Sequence, residues 1–352
     1  MGAPSAAPEF DSHRFRSAEH QQRFEAIKGW SFHRERRVQL RDDEYTDFQE
    51  EIAHRHWTSL VTPMAKFDPD IVLEFYANAW PTEEGVRDMR SWVRGQWIPF
   101  DAYALSQFLG DLLVLEEGQK WEFSQRRNRA DGFDKEAIAQ LLCTPGQDFV
   151  RTAAGRRVRI MRTSMTTLTQ MWMTLLLSNV LPSDHNSDLP LPKCQLVYAI
   201  LTWMNVHVAQ LIADAIYLFA GMPPTRHPLD PDMSNRALGF PALITGLCQS
   251  FGVPVTPSAG LYTAGRRRIA TTSLGLSRWV IRHGAVSTTL GSPTGGQPPG
   301  ADQFRAEVAW PEDWPEAQAR EAPAGAPSDA EEARMDEEMT DLLGFLGGSG
   351  AT

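Results

Sequence analysis

Four polar side chains interrupt a long apolar stretch of the sequence, residues 196–221. They are Trp203, His207, Gln210 and Asp214, and their spacings of four, three and four residues place them in one stripe if the stretch is a helix. A histidine and an aspartate about two turns apart on a buried helix can influence each other's pKa, as acid–base chemistry requires. Hydrogen bonding of the stripe to neighbouring structure is the alternative, and we expect that structural role.

The helix that would carry this stripe could lie in a membrane or in a protein core. Residues 196–221 contain no Lys, Arg or Glu and are long enough to cross a bilayer. However, an aspartate such as Asp214 costs about 3 kcal/mol at the centre of a membrane span. The apolar side chains occupy one broad arc, which is typical of a central helix in a soluble helical domain. We therefore predict no membrane span, and a core hairpin with the apolar residues 165–181, joined by a loop at 182–193.

The other polar residues assemble no recognised reaction centre. His54 and His56 would point about 200° apart on a helix, so we expect no shared metal ion. Cys143, Cys194 and Cys248 lie far apart in apolar patterns, which indicates buried thiols in an intracellular protein without disulfides. The first residues contain no apolar run of the kind found in secretion signals. We predict no metal site, no cofactor, no enzymatic activity, and a location in the nucleus or the cytoplasm.

The negative charge of the chain belongs to its C-terminal part. The formal net charge is −10, and residues 291–352 contain thirteen acidic and three basic side chains. Residues 1–290 therefore have 31 side chains of each sign. A balanced body with an acidic extension does not have the overall basic charge typical of a dedicated nucleic-acid-binding domain.

Composition also divides the chain into an ordered part and a tail. Periodic apolar patterns fade after residue 255, where Gly, Ser, Thr and Pro become frequent and too few apolar side chains remain to offset the entropy of ordering. We predict a mainly α fold, with a single multi-helix domain, a few short extended segments and a disordered C-terminal tail. The predicted divisions are a disordered N-terminus at 1–13, the helical domain at 14–255, and the tail at 256–352, which is basic over 262–283 and acidic over 302–341.

Basic clusters are candidate contacts for nucleic acid. Within the helical domain they occur at residues 33–37, 126–129 and 155–162, the last in a segment, 144–164, that we expect to be irregular. Residues 253–301 contain five arginines and no acidic residue. These five are the candidate nucleic-acid contacts, because arginine side chains neutralise phosphates, and we expect the acidic tail to mask them. They are Arg266, Arg267, Arg268, Arg278 and Arg282.

The acidic tail ends in a short amphipathic motif at residues 336–346. Its apolar side chains are separated by three, one and three residues, so they share one face of a helix, with acidic side chains opposite. Acidic–hydrophobic segments of this kind can fold into a groove of a partner protein. The candidate partner-binding residues are Met339, Leu342, Leu343 and Leu346.

Several segments together resemble a family known as the plant transposon protein domain. They are RFRSAEHQQRFEAIKGWSFHRERRV, HRHWTSLVTP, IVLEFYANAW, VRGQWIPFD, LPSDHNSDLPLPKCQLVYAILTWMNV and GFPALITGLCQSFGV, which cover about residues 14–253. The family occurs in reading frames of plant transposable elements, including long-terminal-repeat retroelements. The resemblance implies a largely helical fold, and it brings no established reaction and no catalytic residues.

We therefore expect a non-enzymatic structural or interaction component encoded by a plant transposable element, acting through a protein partner or self-association. The alternative is a nucleic-acid-binding accessory protein that uses the arginine clusters. A degenerate transposase-like nuclease is less favoured. Such an enzyme needs three carboxylates that converge on two metal ions, and no carboxylate here lies in an apolar, strand-like run.

Overall fold

Helices make up most of the ordered structure. The structure is a computed structural model of the 352-residue chain, and it describes residues 10–38, 40, 44–81, 87–110, 115, 119–129, 131–183, 185–221, 237–255, 262–263 and 268–269. The α-helices in these residues are α1 (Ala18–Ile27), α2 (Thr46–His54), α3 (Thr58–Val61), α4 (Pro69–Asn78), α5 (Ala102–Phe108), α6 (Glu122–Arg127), α7 (Lys135–Leu142), α8 (Thr167–Leu175), α9 (Leu191–Leu201), α10 (Val208–Gly221) and α11 (Pro241–Ser250).

Short strands join distant parts of the chain. They are β1 (Ser31–Phe32), β2 (Arg37–Val38), β3 (Lys66–Phe67), β4 (Arg90–Val93), β5 (Gln96–Pro99), β6 (Val150–Arg151), β7 (Arg157–Met161), β8 (Asp188–Pro190), β9 (Ala237–Leu238), β10 (Tyr262–Thr263) and β11 (Arg268–Ile269). Strand β4 pairs with β5 as a hairpin, and β6, β7 and β8 form an antiparallel three-stranded sheet. The pairs β1–β9 and β2–β11 are parallel, and β3–β10 is antiparallel.

Several helices begin at a residue whose side chain accepts a backbone hydrogen bond. An N-cap oxygen satisfies one of the N–H groups that the first helical turn leaves without a partner. Asp68 Oδ1, for example, accepts from the N–H groups of Asp70 and Ile71 at 3.0 and 3.4 Å. The N-cap residues that act in this way are Asp68 in α4, Asp101 in α5, Asp134 in α7 and Thr166 in α8.

Helix α4 lies at the centre of the core. Every residue from Ile71 to Asn78 is buried, and α1, α11 and the β4–β5 hairpin pack against this helix. The buried carboxylate of Glu74 accepts hydrogen bonds from Arg14 Nε and from the backbone N–H of Arg94, both at 2.7 Å. These contacts tie the N-terminal segment and the hairpin turn to the same helix.

A buried asparagine attaches the extended N-terminal segment to α8. The helix continues into a π-helical turn, Leu176–Val180, which contains Asn179. The Asn179 Nδ2 group donates to the carbonyl oxygens of Arg36 and Leu60 at 2.8 and 2.7 Å, and its Oδ1 accepts from the Arg36 N–H at 2.9 Å. One side-chain amide therefore satisfies three backbone groups that would otherwise be buried without partners.

A buried glutamate provides the N-terminal cap of α11 from a distant part of the chain. Glu35 accepts hydrogen bonds from the backbone N–H groups of Ala242 and Leu243 at 3.1 and 2.8 Å. The residue before the helix, Phe240, has φ of 55° and provides no side-chain cap. Burial raises the pKa of Glu35 to about 7, although the two N–H groups act in the opposite direction. The carboxylate is held by the positive end of the helix rather than by a basic side chain.

The single helix predicted over residues 196–221 is wrong. Helix α9 ends and α10 begins on either side of residues 202–207, where Trp203 has φ of 60°. Met204 and Val206 in this link are buried, so apolar residues of this stretch can be buried in a turn as well as in a helix. None of the helices in the described ranges is both long and apolar enough to cross a membrane.

Two segments that were expected to be irregular or a loop contain strands. Residues 144–164 contain β6 and β7, and the predicted loop at 182–193 contains β8, so these segments form a sheet. Strands β10 and β11, which lie beyond the predicted boundary at residue 256, pair with β3 and β2. Within the predicted N-terminal segment 1–13, residues 10–13 are described, and a turn begins at Asp11. The other predicted tail segments, including 336–346, lie outside the described residues.

Candidate functional site

The structure divides the predicted polar stripe. Trp203 lies in the link between α9 and α10, where its ring is half exposed and its centroid is 4.9 Å from that of His54. His207, Gln210 and Asp214 remain together, at the start and on the first turns of α10. Only these three can therefore act as a unit.

His207 precedes the first residue of α10 and caps the helix. Its Nδ1 accepts from the backbone N–H of Gln210 at 3.3 Å, and its ring stacks on Trp121 with a centroid distance of 4.3 Å. Burial lowers the pKa of His207, which favours the neutral ring that can accept this bond. The adjoining cavity, which Arg55 and Trp57 also line, has a volume of about 10 Å³. That is room for about one water molecule.

Asp214 has structural partners of its own. Its buried carboxylate forms an ion pair with Arg87 and accepts from Gln210 Nε2 at 3.0 Å. The Arg87 guanidinium also lies 5.0 Å from the ring centroid of Tyr217, one turn further along α10. The aspartate thus joins α10 to the segment before β4, and His207 contacts a different element. The contacts of His207, Gln210 and Asp214 thus join α10 to two different parts of the fold.

The three-stranded sheet brings basic side chains together. In β7, Arg157 and Arg159 alternate with the fully buried Ile160, whose face is covered by α9. The register places Arg151 of β6 opposite Arg157 and places Pro190 of β8 opposite Arg159. Paired residues lie on the same side of a sheet, so Arg151 and Arg157 share a side, whereas a register shift at Val150 and Arg151 interrupts the alternation between Arg157 and Arg159. We call the three arginines of this sheet, Arg151, Arg157 and Arg159, the arginine face.

The acidic side chains that Arg151 and Arg157 contact are partly exposed. Residues 148–162 contain five arginines and one acidic residue. Asp148 accepts from Arg151 at 2.6 Å and from Arg157 at 3.5 Å, and Glu136 of α7 accepts from Arg157 at 2.7 Å. The hydrogen bond to Glu136 raises the pKa of Arg157. Exposed ion pairs of this kind contribute about 0–1 kcal/mol to stability.

One buried carboxylate lies at the β8 edge of the arginine face among three basic groups. Asp188 is 4% exposed, accepts from His185 Nε2 at 3.1 Å, and has Arg159 Nε at 3.6 Å. The hydrogen bond to Asp188 raises the pKa of His185. Lys193 of α9 is also buried, and burial lowers its pKa to about 8 while the charge of Asp188 opposes this effect. Asp188 is thus a shared partner of His185 and Arg159 at this edge.

Of the five predicted tail arginines, Arg268 lies in β11, whose backbone pairs with β2 at Arg37, and the other four lie outside the described residues. The same is true of the candidate partner-binding motif, 336–346. Among the residues that the structure describes, no group of three or more His, Cys, Asp or Glu side chains is placed to hold a metal ion.

A family model described as "Putative plant retrotransposon-related domain" matches residues 53–254, which is more than half of the chain. The chain belongs to this family. The resemblance to plant transposon proteins seen in the sequence is confirmed by the match. No curated protein and no solved structure matches the chain.

The match to the plant retrotransposon-related domain includes the arginine face and all of α10. The alternating pattern of Arg157, Val158, Arg159 and Ile160 was the local signal for β7, and it was missed because the basic run resembled a solvated segment. No local pattern pointed to Lys193, which reaches the site only because α9 packs against β7.

Proposed function

We propose that this chain is a non-enzymatic structural or interaction component encoded by a plant transposable element. Its family supports the origin in a transposable element. The observation that carries the non-enzymatic role is the way in which buried carboxylates are used. Each of three such groups contacts a different structural partner, in a different part of the fold.

Those three carboxylates stabilise the packing of helices and segments. Glu35 caps α11, Glu51 forms a buried ion pair with Arg55 within α2, and Asp214 pairs with Arg87. Leaving a buried polar group without its partner usually costs about 1–3 kcal/mol, because the group has lost its contacts with water as well. These groups are thus committed to stability, whereas two-metal nucleases need carboxylates that converge on one open site.

A strand-cleavage assay tests the non-enzymatic role. Purified full-length chain is incubated with end-labelled DNA and RNA in the presence of Mg²⁺ or Mn²⁺, and we expect no cleavage. The variant Asp188→Asn serves as the matched control, because Asp188 is the buried carboxylate nearest to the arginine face. Cleavage by the wild type that this substitution abolishes would overturn the proposal.

Self-association and a protein partner are the two forms that the interaction can take. Sedimentation velocity of the full chain over a hundredfold concentration range measures the first, and we expect a sedimentation coefficient that rises with concentration. A monomer at every concentration would exclude self-association. Binding to a protein partner is then measured by pull-down from plant nuclear extract, with the variant Leu343→Ala/Leu346→Ala as the comparison.

A nucleic-acid-binding accessory role is the second candidate, and the arginine face favours it. The tail adds a regulatory element, since residues 302–352 carry the acidic excess and are tethered to the basic segment 262–283. Tethering keeps the effective concentration of such a segment in roughly the millimolar range. We expect deletion of 302–352 to raise affinity for nonspecific DNA or RNA at low salt, with a smaller effect above physiological salt. Equal affinity of the two chains would exclude masking.

A further inference from the structure

We propose that an apolar groove beside α2 holds the tail motif, residues 336–346 of the same chain, as a short helix. The inference rests on the interaction role just proposed, and it names the surface that occupies the tail motif before a partner does. Self-association and capture of a partner do not need this groove, so this proposal and the interaction role can fail separately.

The groove is apolar and has room for several side chains. It lies between β2, α2 and α3 and has a volume of about 520 Å³. A volume of this size is typical of protein sites that bury a ligand. The described residues that line the groove carry no charge. We call this surface the α2 groove, and its apolar walls are formed by Val38, Leu40, Phe48, Ile52 and Val61.

The core holds the floor of the α2 groove in place. Phe48 is buried and packs on the fully buried Trp172 of α8, with a centroid distance of 4.4 Å. Ile52 is also buried and lies one turn further along the same face of α2. Val38 and Leu40, in contrast, are only partly buried against the core. The groove therefore combines a fixed floor with apolar side chains that a further element can cover.

The path of the chain leads the C-terminal part to this groove. Strand β11 pairs with β2 in parallel, and the register places Ile269 opposite Val38. Ile269 is also the last residue that the structure describes. Residues 270–335 then separate β11 from the tail motif, and at up to about 3.3 Å per residue this length can reach any point of the fold. The tail is thus anchored at a wall of the groove.

The spacing of the tail motif fits a helix in an apolar groove. Met339, Leu342, Leu343 and Leu346 stand at positions i, i+3, i+4 and i+7, which are the anchors that such helices use. A helix advances about 10 Å between the first and the last of them, and α2, with nine residues, is long enough to accompany it. The acidic side chains of the motif lie on the opposite face, where they would remain in water.

Tethering favours the motif of the same chain over that of a second copy. A tethered segment has an effective concentration in roughly the millimolar range, which is far above the concentration of the protein in an ordinary solution. A second copy therefore competes poorly for the α2 groove. An external partner of the tail motif must bind tightly enough to draw it away from the groove.

The test is fluorescence anisotropy with a fluorescein-labelled peptide of residues 331–349. The peptide is titrated with the full-length chain Leu343→Ala/Leu346→Ala, in which the groove is open because its own motif cannot dock, and with full-length wild type. If the open groove binds the peptide with a Kd of about 50 µM, a tethered motif at about 1 mM should weaken the apparent affinity of wild type roughly twentyfold. Equal affinity of the two chains would overturn the proposal.

Substitutions at the rim of the groove locate the binding site. Ala53 is an exposed lining residue, and Ala53→Arg, added to the Leu343→Ala/Leu346→Ala chain, should weaken peptide binding roughly tenfold or more, because it places a charge in an apolar site. The matched control is Ala26→Arg, the same change at an exposed residue of α1, which should alter the affinity by less than about twofold. Thr58→Arg, also at an exposed lining residue, replaces Ala53→Arg if circular dichroism shows that the latter fails to fold.

A change in the peptide tests whether the motif docks as a helix. Glycine is a poor helix former, so Gly344→Ala should tighten binding of the peptide about two- to fivefold. Unchanged or weaker binding would overturn the helical mode of docking. An equal loss of affinity with Ala26→Arg and with the groove variant would overturn the assignment to the α2 groove.

Sedimentation velocity at the concentrations of the titration identifies the chain that supplies the motif. Weak peptide binding by a wild-type chain that sediments as a monomer supports docking within one chain. Weak binding that appears only where wild type forms oligomers, and disappears on dilution, would assign the motif to a second copy and overturn the proposal.

Discussion

Replacing Glu35 by glutamine should remove the change in folding stability with pH that arises from titration of this carboxyl group. The carboxyl group of Glu35 has a pKa near 7 in the folded chain, against 4.5 for an unperturbed glutamate, because it is fully buried. Between pH 4.5 and 7 the folded chain therefore binds more protons at this position than the unfolded chain does. Since stability falls with rising pH wherever the folded state binds more protons, wild type should lose stability across this interval.

The magnitude follows from the pKa shift. One pKa unit corresponds to about 1.4 kcal/mol, so the full shift is worth about 3 kcal/mol, of which about 2–3 kcal/mol falls between pH 5 and pH 8. Glutamine cannot ionise but can still accept a hydrogen bond from Ala242 or Leu243. Hence the stability of wild type relative to Glu35→Gln should fall by that amount from pH 5 to pH 8.

Urea denaturation followed by tryptophan fluorescence at half-unit pH steps measures this difference. Subtracting the free energy of unfolding of the variant from that of wild type cancels the contributions of the titrating groups that the two chains share. Glu25→Gln is the control, because Glu25 is exposed on α1, and its difference curve should change by less than about 0.5 kcal/mol. A flat curve for Glu35→Gln, or one that rises with pH, would show that the carboxyl group titrates similarly in both states and would refute the reasoning.

Other substitutions test the remaining contacts. Asp214→Ala should lower the free energy of unfolding by about 1–3 kcal/mol, since Arg87 loses its carboxylate, and an unchanged stability in urea titration would contradict the structural role. Asn179→Ala should cost about 3 kcal/mol by the same measurement, because three buried backbone groups lose their partner, and a loss below about 1 kcal/mol would mean that water replaces the amide. If the tail motif binds a partner, Leu343→Ala/Leu346→Ala should remove a band from a pull-down with plant nuclear extract, and identical bands would mark the motif as inactive.

Helix starts in this chain are marked by local residues. The dipeptide of Asp68 and Pro69 stands at the beginning of α4, and Asp101 and Asp134 stand at the beginnings of α5 and α7, because an N-cap acts through bonds to residues two or three positions away. Such information lies within one helical turn and needs no knowledge of the rest of the fold. The mainly helical character follows from the same signals.

Features that depend on distant residues were not predictable in this way. The break between α9 and α10 occurs in a stretch whose apolar pattern continues through it, and Met204 and Val206 are buried there by other elements. The three-stranded sheet needs β8, which is 27 residues beyond the end of β7 and has little strand character of its own. Glu35 and Asn179 appeared as ordinary polar residues, since the backbone groups that they bond lie more than a hundred residues away.

The parallel pairing of β1 with β9 joins two segments that are synthesised far apart in time. Ser31 pairs with Ala237, and Glu35 bonds Leu243, so these two contacts of the segment around β1 cannot form until more than 200 further residues have left the ribosome. At about 5–20 residues per second, that interval lasts roughly ten to forty seconds. During it the apolar side chains of this segment are available to chaperones or to other nascent chains. Production of this protein should therefore depend on chaperone supply more strongly than its helical content suggests, because contacts of such long range also slow folding.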